Sequence, residues 1–363
     1  MIKLRLTFGE KTVPGFLTQG NPSQFVELYN LFGFPKQVTF LAPDSIPNDI
    51  VTPFEEAFLE KGKQVKSVRV TVPLMANFSD LANFWNQLEL RNDFPNQSVV
   101  LFGGERLFNA VDYLFGLLKR KPRIFHLPTT LTVQAEIPFL QRSFLFDDAM
   151  PNRFKSQNVH REMVWVDVQF LKFLPDAVYR TGLLAVIRLA SILDRQLFVF
   201  LEEKVPQLLA RDPDTLLQIL FKIYQIKKNV LFPTEFHQIL ERFFTEPLIA
   251  FCGLLRVHCP EFLPNQLFLR DILWRWHYSL EIGKGDTMDF RRLRALLKSL
   301  KFSVRISPEI ESCLQMFGNY PGSFFPEEVV LPRAIGKITL QADFDPSLFR
   351  QSLKAVELAF GKA

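Results

Sequence analysis

The stretch from Val99 to Gln134, VVLFGGERLFNAVDYLFGLLKRKPRIFHLPTTLTVQ, constrains the fold more than any other part of the chain. The apolar run Val99 to Phe102 enters Gly103-Gly104, and an amphipathic segment follows from about Leu107 to Lys119. A second short apolar run, Ile124 to Leu127, ends in Pro128-Thr129-Thr130. That order is strand, glycine turn, helix, strand. In a doubly wound α/β domain it sets a glycine turn and a helix N-terminus where a dinucleotide pyrophosphate can sit. The turn continues Glu105-Arg106-Leu107-Phe108-Asn109. A carboxylate at Glu105 would repel a pyrophosphate, and Phe108 is bulky where close backbone approach calls for glycine. A tight strand-to-helix turn needs no ligand and accounts for the glycine pair equally well.

The surrounding chain fits such a domain. Ile2 to Phe8 alternates like an edge strand, Gln37 to Leu41 reads as a buried strand, Pro53 to Lys61 as a helix and Val68 to Val72 as a strand. Strand, helix, strand predicts a parallel sheet. Ser79 to Leu88 reads as a further helix with Ser79 as N-cap. After Leu174-Pro175 the period turns helical: Arg180–Asp194, Gln196–Leu209, Asp214–Lys228, Pro233–Phe244, Leu267–Glu281 and Asp289–Leu300 each repeat apolar residues at helical spacing. The expected organisation is a Rossmann-like α/β domain over 1–174 and an α-helical domain over 175–363.

At 363 residues the chain is long enough for two domains. Its 43 basic and 38 acidic residues leave a net charge of only +5, and the basic residues are scattered, so no nucleic-acid footprint is expected. No apolar run reaches the ~20 residues of a membrane span. Cys252, Cys259 and Cys313 are odd in number and outside any disulfide spacing, which suits a reducing, cytoplasmic setting. Cys252, His258 and Cys259 form no CxxC pair. His126, His160, His237, His258 and His277 form no HxxxH pair.

These residues carry a resemblance. Gly103 to Asn109, followed at the same distance by Pro128, Thr129, Thr130, Leu131 and Gln134, is similar to 3-dehydroquinate synthase, whose turn reads Gly-Gly-Gly-Val-x-Gly-Asp before a Pro-Thr-Thr-Leu-x-x-Gln strand. The similarity continues through FLKFLP (Phe170 to Pro175), YRTGLLAVIRLASILD (Tyr179 to Asp194), LFKIYQIKKNV (Leu220 to Val230) and VLPRAIGKI (Val330 to Ile338). The resemblance implies a sugar phosphate cyclase fold. It also implies a nicotinamide cofactor and a divalent metal such as zinc, held by one glutamate and two histidines.

The chain departs from that pattern at the cofactor and metal positions. Where the family has Gly-Glu-x-x-Lys-Ser, Leu74 to Ser79 keeps only the serine. Where a lid of serines, glycines and a lysine closes over the nicotinamide, the chain reads Glu136-Ile137-Pro138-Phe139-Leu140-Gln141-Arg142. The resemblance places the metal's glutamate at Ala185 and its histidines at Phe244 and Leu248, none of which can coordinate a metal. The reading is that no NAD and no metal are used. Of the anion-gripping residues, Lys227 is kept and Asn152 matches one position, with Arg120 and Arg188 as further cations; His237 and Asn319-Tyr320-Pro321 replace others.

The expectation is a catalytically inactive pseudoenzyme serving as a structural or regulatory subunit, a homodimer or part of a heteromeric complex. A sugar phosphate cyclase, or phosphate-eliminating lyase, with an atypical site is the alternative. A non-catalytic binder of a small phosphorylated ligand, resting on Lys227, Asn152, Arg120 and Arg188, is a third reading. The 39 phenylalanines leave two explanations open: a refilled core, or a protein interface around Trp274 to Tyr278 and Phe317 to Pro326. Trp274, Arg275, Trp276 and His277 cannot share one helix face, so at least one should lie at a surface or a contact.

Overall fold

The computed structural model describes residues 1–8, 11–72, 77–88, 96–140, 142–146, 154–230, 264–304 and 328–360. The chain divides into two compact units, Met1–Pro175 and Asp176–Ala363.

The first unit is built on a seven-stranded sheet. Its strands are β1 (Ile2–Phe8), β2 (Lys11–Thr18), β3 (Gln37–Pro43), β4 (Gln64–Val70), β5 (Gln97–Gly103), β6 (Arg123–Pro128) and, after a separate hairpin, β9 (Met163–Asp167). They lie in the order β1-β2-β9-β6-β5-β3-β4. Only the β1–β2 pair is antiparallel. Leu101 faces His126 across the β5–β6 ladder, and Gly103 faces Pro128 at its end. The connection from β3 runs outward to β4, then returns past β3 to β5. Direction therefore reverses between β3 and β5, and the crevice outside their carboxyl ends, at Pro43 and Gly103, is where doubly wound sheets take their ligands.

Helices α1 (Pro22–Leu31) and α2 (Asn48–Glu60) cover one face. Phe16, Phe25, Phe40, Phe54, Phe58, Phe102, Phe125, Phe170, Tyr29 and Trp165 form one buried cluster there. Phe40 meets Phe58 edge to face at 5.4 Å, and Phe34 meets Phe125 at 4.7 Å. Much of the phenylalanine content is thus ordinary sheet-to-helix packing. Helices α3 (Phe78–Gln87), α4 (Glu105–Gly116) and the short α5 (Leu131–Glu136) also belong to this unit, together with the hairpin β7 (Arg142–Phe146) and β8 (Phe154–Asn158).

Two local expectations are corrected. The helix expected to begin at Pro53 begins at Asn48 and carries Pro53 inside it. The buried face Ile50, Val51, Phe54, Ala57 and Phe58 outweighs the one helical hydrogen bond a proline removes. The cap of α3 is Asn77, whose side chain accepts from the Asp80 amide, and Ser79 already lies inside the helix.

The second unit contains α6 (Asp176–Leu193), α7 (Arg195–Glu203), α8 (Val205–Leu209), α9 (Pro213–Val230), α10 (Pro264–Glu281), α11 (Thr287–Ser299) and α12 (Pro346–Phe360). The segment expected as one helix from Gln196 to Leu209 is broken at Lys204, just before Pro206. A hairpin, β10 (Glu328–Ala334) and β11 (Lys337–Ala342), interrupts the helices. Helix α10 packs against α6, α12 and β10. Trp274, Arg275, Trp276 and Tyr278 are all buried, and only His277 is partly exposed. Neighbours on several sides thus bury rings on several faces of α10: Trp274 meets Phe349 at 4.8 Å and Trp276 stacks on Phe290. Phe317 to Pro326, Pro233 to Phe244 and all three cysteines lie outside the described residues.

Candidate functional site

Gly103 ends β5 and Gly104 caps α4 without a side chain, as the glycine pair predicts. The residues after them are committed to packing. The Leu107 side chain lies over Gly103, with Cδ2 2.7 Å from where a Cβ would stand. Phe108 meets the ring of His126 edge on at 4.7 Å. Asn109 donates to the Phe144 carbonyl at 2.9 Å and accepts from its amide at 2.7 Å, stitching α4 to β7. Glu105 is exposed in the first turn.

At the end of β6, the Thr129 amide donates to the Gly103 carbonyl at 2.9 Å, and Thr130 caps α5 through Val133. The Thr129 hydroxyl is fully buried, without a hydrogen-bond partner among the described residues. Gln134 donates to the carbonyls of Pro128 and Asp167, tying the carboxyl ends of β6 and β9 together. The interval from Glu136 is a packed turn, in which Arg161 donates to the carbonyls of Ile137 and Leu140.

Two clusters have no counterpart in the sequence reading. His126 Nε2 lies 3.0 Å from Asp112 Oδ1, and Arg161 reaches Asp112 Oδ2 at 3.6 Å, all three side chains being buried. Burial pushes the His126 imidazole below its ordinary value and outweighs the neighbouring Asp112 carboxylate, so the ring is neutral. Asp167, at the end of β9, accepts twice from the Gly20 amide and once from Gln169; burial nevertheless raises its carboxyl above the usual range. The available signal was a polar residue inside an apolar strand, His126 in Arg123-Ile124-Phe125-His126-Leu127.

In the helical unit, Ala185 lies fully buried on α6. Arg188, one turn further on, is buried with Nη1 3.5 Å from Asp271 Oδ2 on α10 and its guanidinium over the Phe268 ring. Asp271 also takes the Arg275 Nε–H at 2.9 Å, and Arg275 donates to the Val330 carbonyl at 2.7 Å. Lys227, on α9, is buried as well. Arg120 belongs to the first unit and is exposed, while Asn152, Phe244, Leu248, His237 and Asn319 lie outside the described residues. Of the four proposed anion contacts, only Arg188 and Lys227 are thus placed in one unit.

In this turn the Leu107 side chain packs over Gly103. Ala185 offers no donor atom, and the described residues contain no group of three or more His, Cys, Asp or Glu that could hold a metal. No helix among them is long and apolar enough to cross a membrane.

A seven-stranded, mainly parallel α/β unit followed by a helical unit is the architecture of dehydroquinate synthase-like cyclases. No family model matches the chain. It is 24% identical over 301 residues to the 3-dehydroquinate synthase of Dictyoglomus thermophilum, covering 79% of this chain and 81% of that protein. Among solved structures, 2-deoxy-scyllo-inosose synthase complexed with carbaglucose-6-phosphate, NAD+ and Co2+ superposes with a TM-score of 0.77 at 13% identity, covering 98% of this chain and all of the other. The 2-epi-5-epi-valiolone synthase of Streptomyces hygroscopicus, with NAD+ and Zn2+ bound, gives 0.77 at 14% identity, over 97% and 99%. The chain is thus similar in sequence to 3-dehydroquinate synthases and shares its fold with sugar phosphate cyclases.

These relatives correct the expectation that neither NAD nor metal belongs to such a chain, since the cyclases it superposes on hold both. Motif loss was too weak a ground for that expectation. Two of the three proposed ligand positions, Phe244 and Leu248, lie outside the described residues, in a stretch that also holds His237, Cys252, His258 and Cys259.

Proposed function

We propose that this protein is a sugar phosphate cyclase-like member of its family with an atypical site, one that takes up a phosphorylated sugar-like ligand through cations of the helical unit. The observation that carries the reading is the superposition on 2-deoxy-scyllo-inosose synthase over 98% of this chain, with Lys227 buried on α9 where the resemblance has an anion-gripping lysine. The carbaglucose-6-phosphate held by 2-deoxy-scyllo-inosose synthase belongs to the proposed ligand class. The test is release of inorganic phosphate from glucose 6-phosphate and from a heptulosonate phosphate, with NAD+ and Zn2+ supplied. Release that Lys227→Met abolishes supports a cyclase; no release from any phosphorylated sugar removes the enzyme reading.

A second reading, a catalytically inactive structural or regulatory subunit, is favoured by one observation. Ala185 is fully buried where the resemblance places the metal's glutamate, so its methyl group is part of the helix packing. Isolation from native cells with other polypeptides at fixed stoichiometry, together with absence of phosphate release, supports it. A chain that is isolated alone contradicts it.

A further inference from the structure

The helical unit carries a second concave feature, away from the residues discussed above. A cleft of about 630 Å³ lies between the end of α6, the turn before α11 and the β10–β11 hairpin. Lys284, Arg333 and Lys337 line it beside Ile192, Leu193 and Ile338. Asp286 is the acidic residue in the lining, and its Oδ1 is engaged as the cap of α11, accepting from the Asp289 amide at 2.8 Å. Lys284 Nζ donates to the Gln341 side-chain oxygen at 2.7 Å, a neutral partner. Neither Arg333 nor Lys337 has an ion-pair partner among the described residues.

The walls are tied together rather than merely adjacent. The Gly336 amide donates to the Ser191 carbonyl at 3.0 Å, and the Asp286 amide donates to the Arg333 carbonyl at 2.8 Å. Asp289 Oδ2 accepts from both the Ile335 amide and Arg195. Gly336, at φ +77°, sits so close to the α6–α7 junction that a Cβ would lie 2.7 Å from the Arg195 amide nitrogen, so the hairpin tip is seated there. The cleft is thus held in place by backbone hydrogen bonds, and its three cations give it a positive potential that favours an anion.

We propose that this cleft binds a small organic phosphate: the anion between Lys284, Arg333 and Lys337, the ring or apolar part against Ile192, Leu193 and Ile338. None of these residues enters the site proposed above, and the inference stands or falls without it. The probe is AMP, titrated calorimetrically into the full chain at low and at moderate salt, with inorganic phosphate alone as the comparison. AMP should bind more tightly than phosphate and weaken as salt rises. Arg333→Ala should weaken it by about tenfold, the measure of one charged hydrogen bond. Lys337→Glu should weaken it further. All the altered cleft residues are exposed, so the variants are expected to fold, and their melting temperatures check this. No AMP binding, or binding unmoved by Arg333→Ala and Lys337→Glu in folded protein, overturns the proposal.

Discussion

Leu107 lies across Gly103, its Cδ2 2.7 Å and its Cβ 3.2 Å from the place a Cβ would take on residue 103. Gly103 thus makes room for a leucine of the same chain. Gly103→Ala should therefore destabilise the protein by about 1–3 kcal/mol through overpacking. In a Leu107→Ala background most of that cost should vanish. A double-mutant cycle by chemical denaturation reads the coupling, and strictly additive effects would mean that the two residues do not compete for this space.

Asn77 caps α3 through the Asp80 amide, while Ser79 lies in the first turn. Asn77→Ala should cost about 1 kcal/mol, and Ser79→Ala should stay within roughly 0.5 kcal/mol. The reverse ranking in denaturation midpoints would return the cap to Ser79.

His126 is neutral in the folded protein because burial lowers its pKa more than Asp112 raises it. Its Nδ1 has no hydrogen-bond partner among the described residues, so an added proton would be buried without an acceptor. The unfolded chain binds that proton at the ordinary histidine pKa and the folded chain only below it. Stability should therefore fall as pH drops from about 7.5 to about 5.5, the range in which an unperturbed histidine titrates. His160 is shifted the same way, so the test compares wild type with His126→Gln. The variant should lose less stability over that interval, and parallel curves would show that His126 contributes nothing to it.

Asp271 meets Arg188 and Arg275 in the interior of the helical unit. Asp271→Asn keeps the shape and removes the charge, which should cost about 3–5 kcal/mol, the scale for breaking a buried ion pair. Thermal unfolding within about 1 kcal/mol of wild type would mean that the two arginines have adequate anionic company elsewhere.

The parts readable in sequence were those with local signatures. β5 and β6 are unbroken apolar runs ended by glycine and by proline, and the PTT turn follows at a fixed distance, so the strand–turn–helix–strand unit stood out. Pro53 misled because a local rule about proline was applied where tertiary burial of Phe54 and Phe58 decides. The break at Lys204 was missed because the apolar spacing continues on both sides of Pro206. For Trp274 to Tyr278 a refilled core and an interface both stayed open in sequence, because which faces of a helix are covered depends on neighbours distant in the chain, here α6, α12 and β10. Asp112, His126 and Arg161 come from three separated segments, and no spacing rule joins them. The cofactor expectation went astray for a related reason: it treated substitutions in short motifs as evidence about a site assembled from distant parts of the chain.

Whether the helical unit takes up a phosphorylated sugar-like ligand is read by calorimetric titration of the full chain with glucose 6-phosphate. Saturable binding is expected, weakened by about tenfold or more in each of Lys227→Met and Arg188→Gln and left in place by Arg333→Ala. No binding by wild type, or binding indifferent to Lys227 and Arg188 in folded variants, would contradict it.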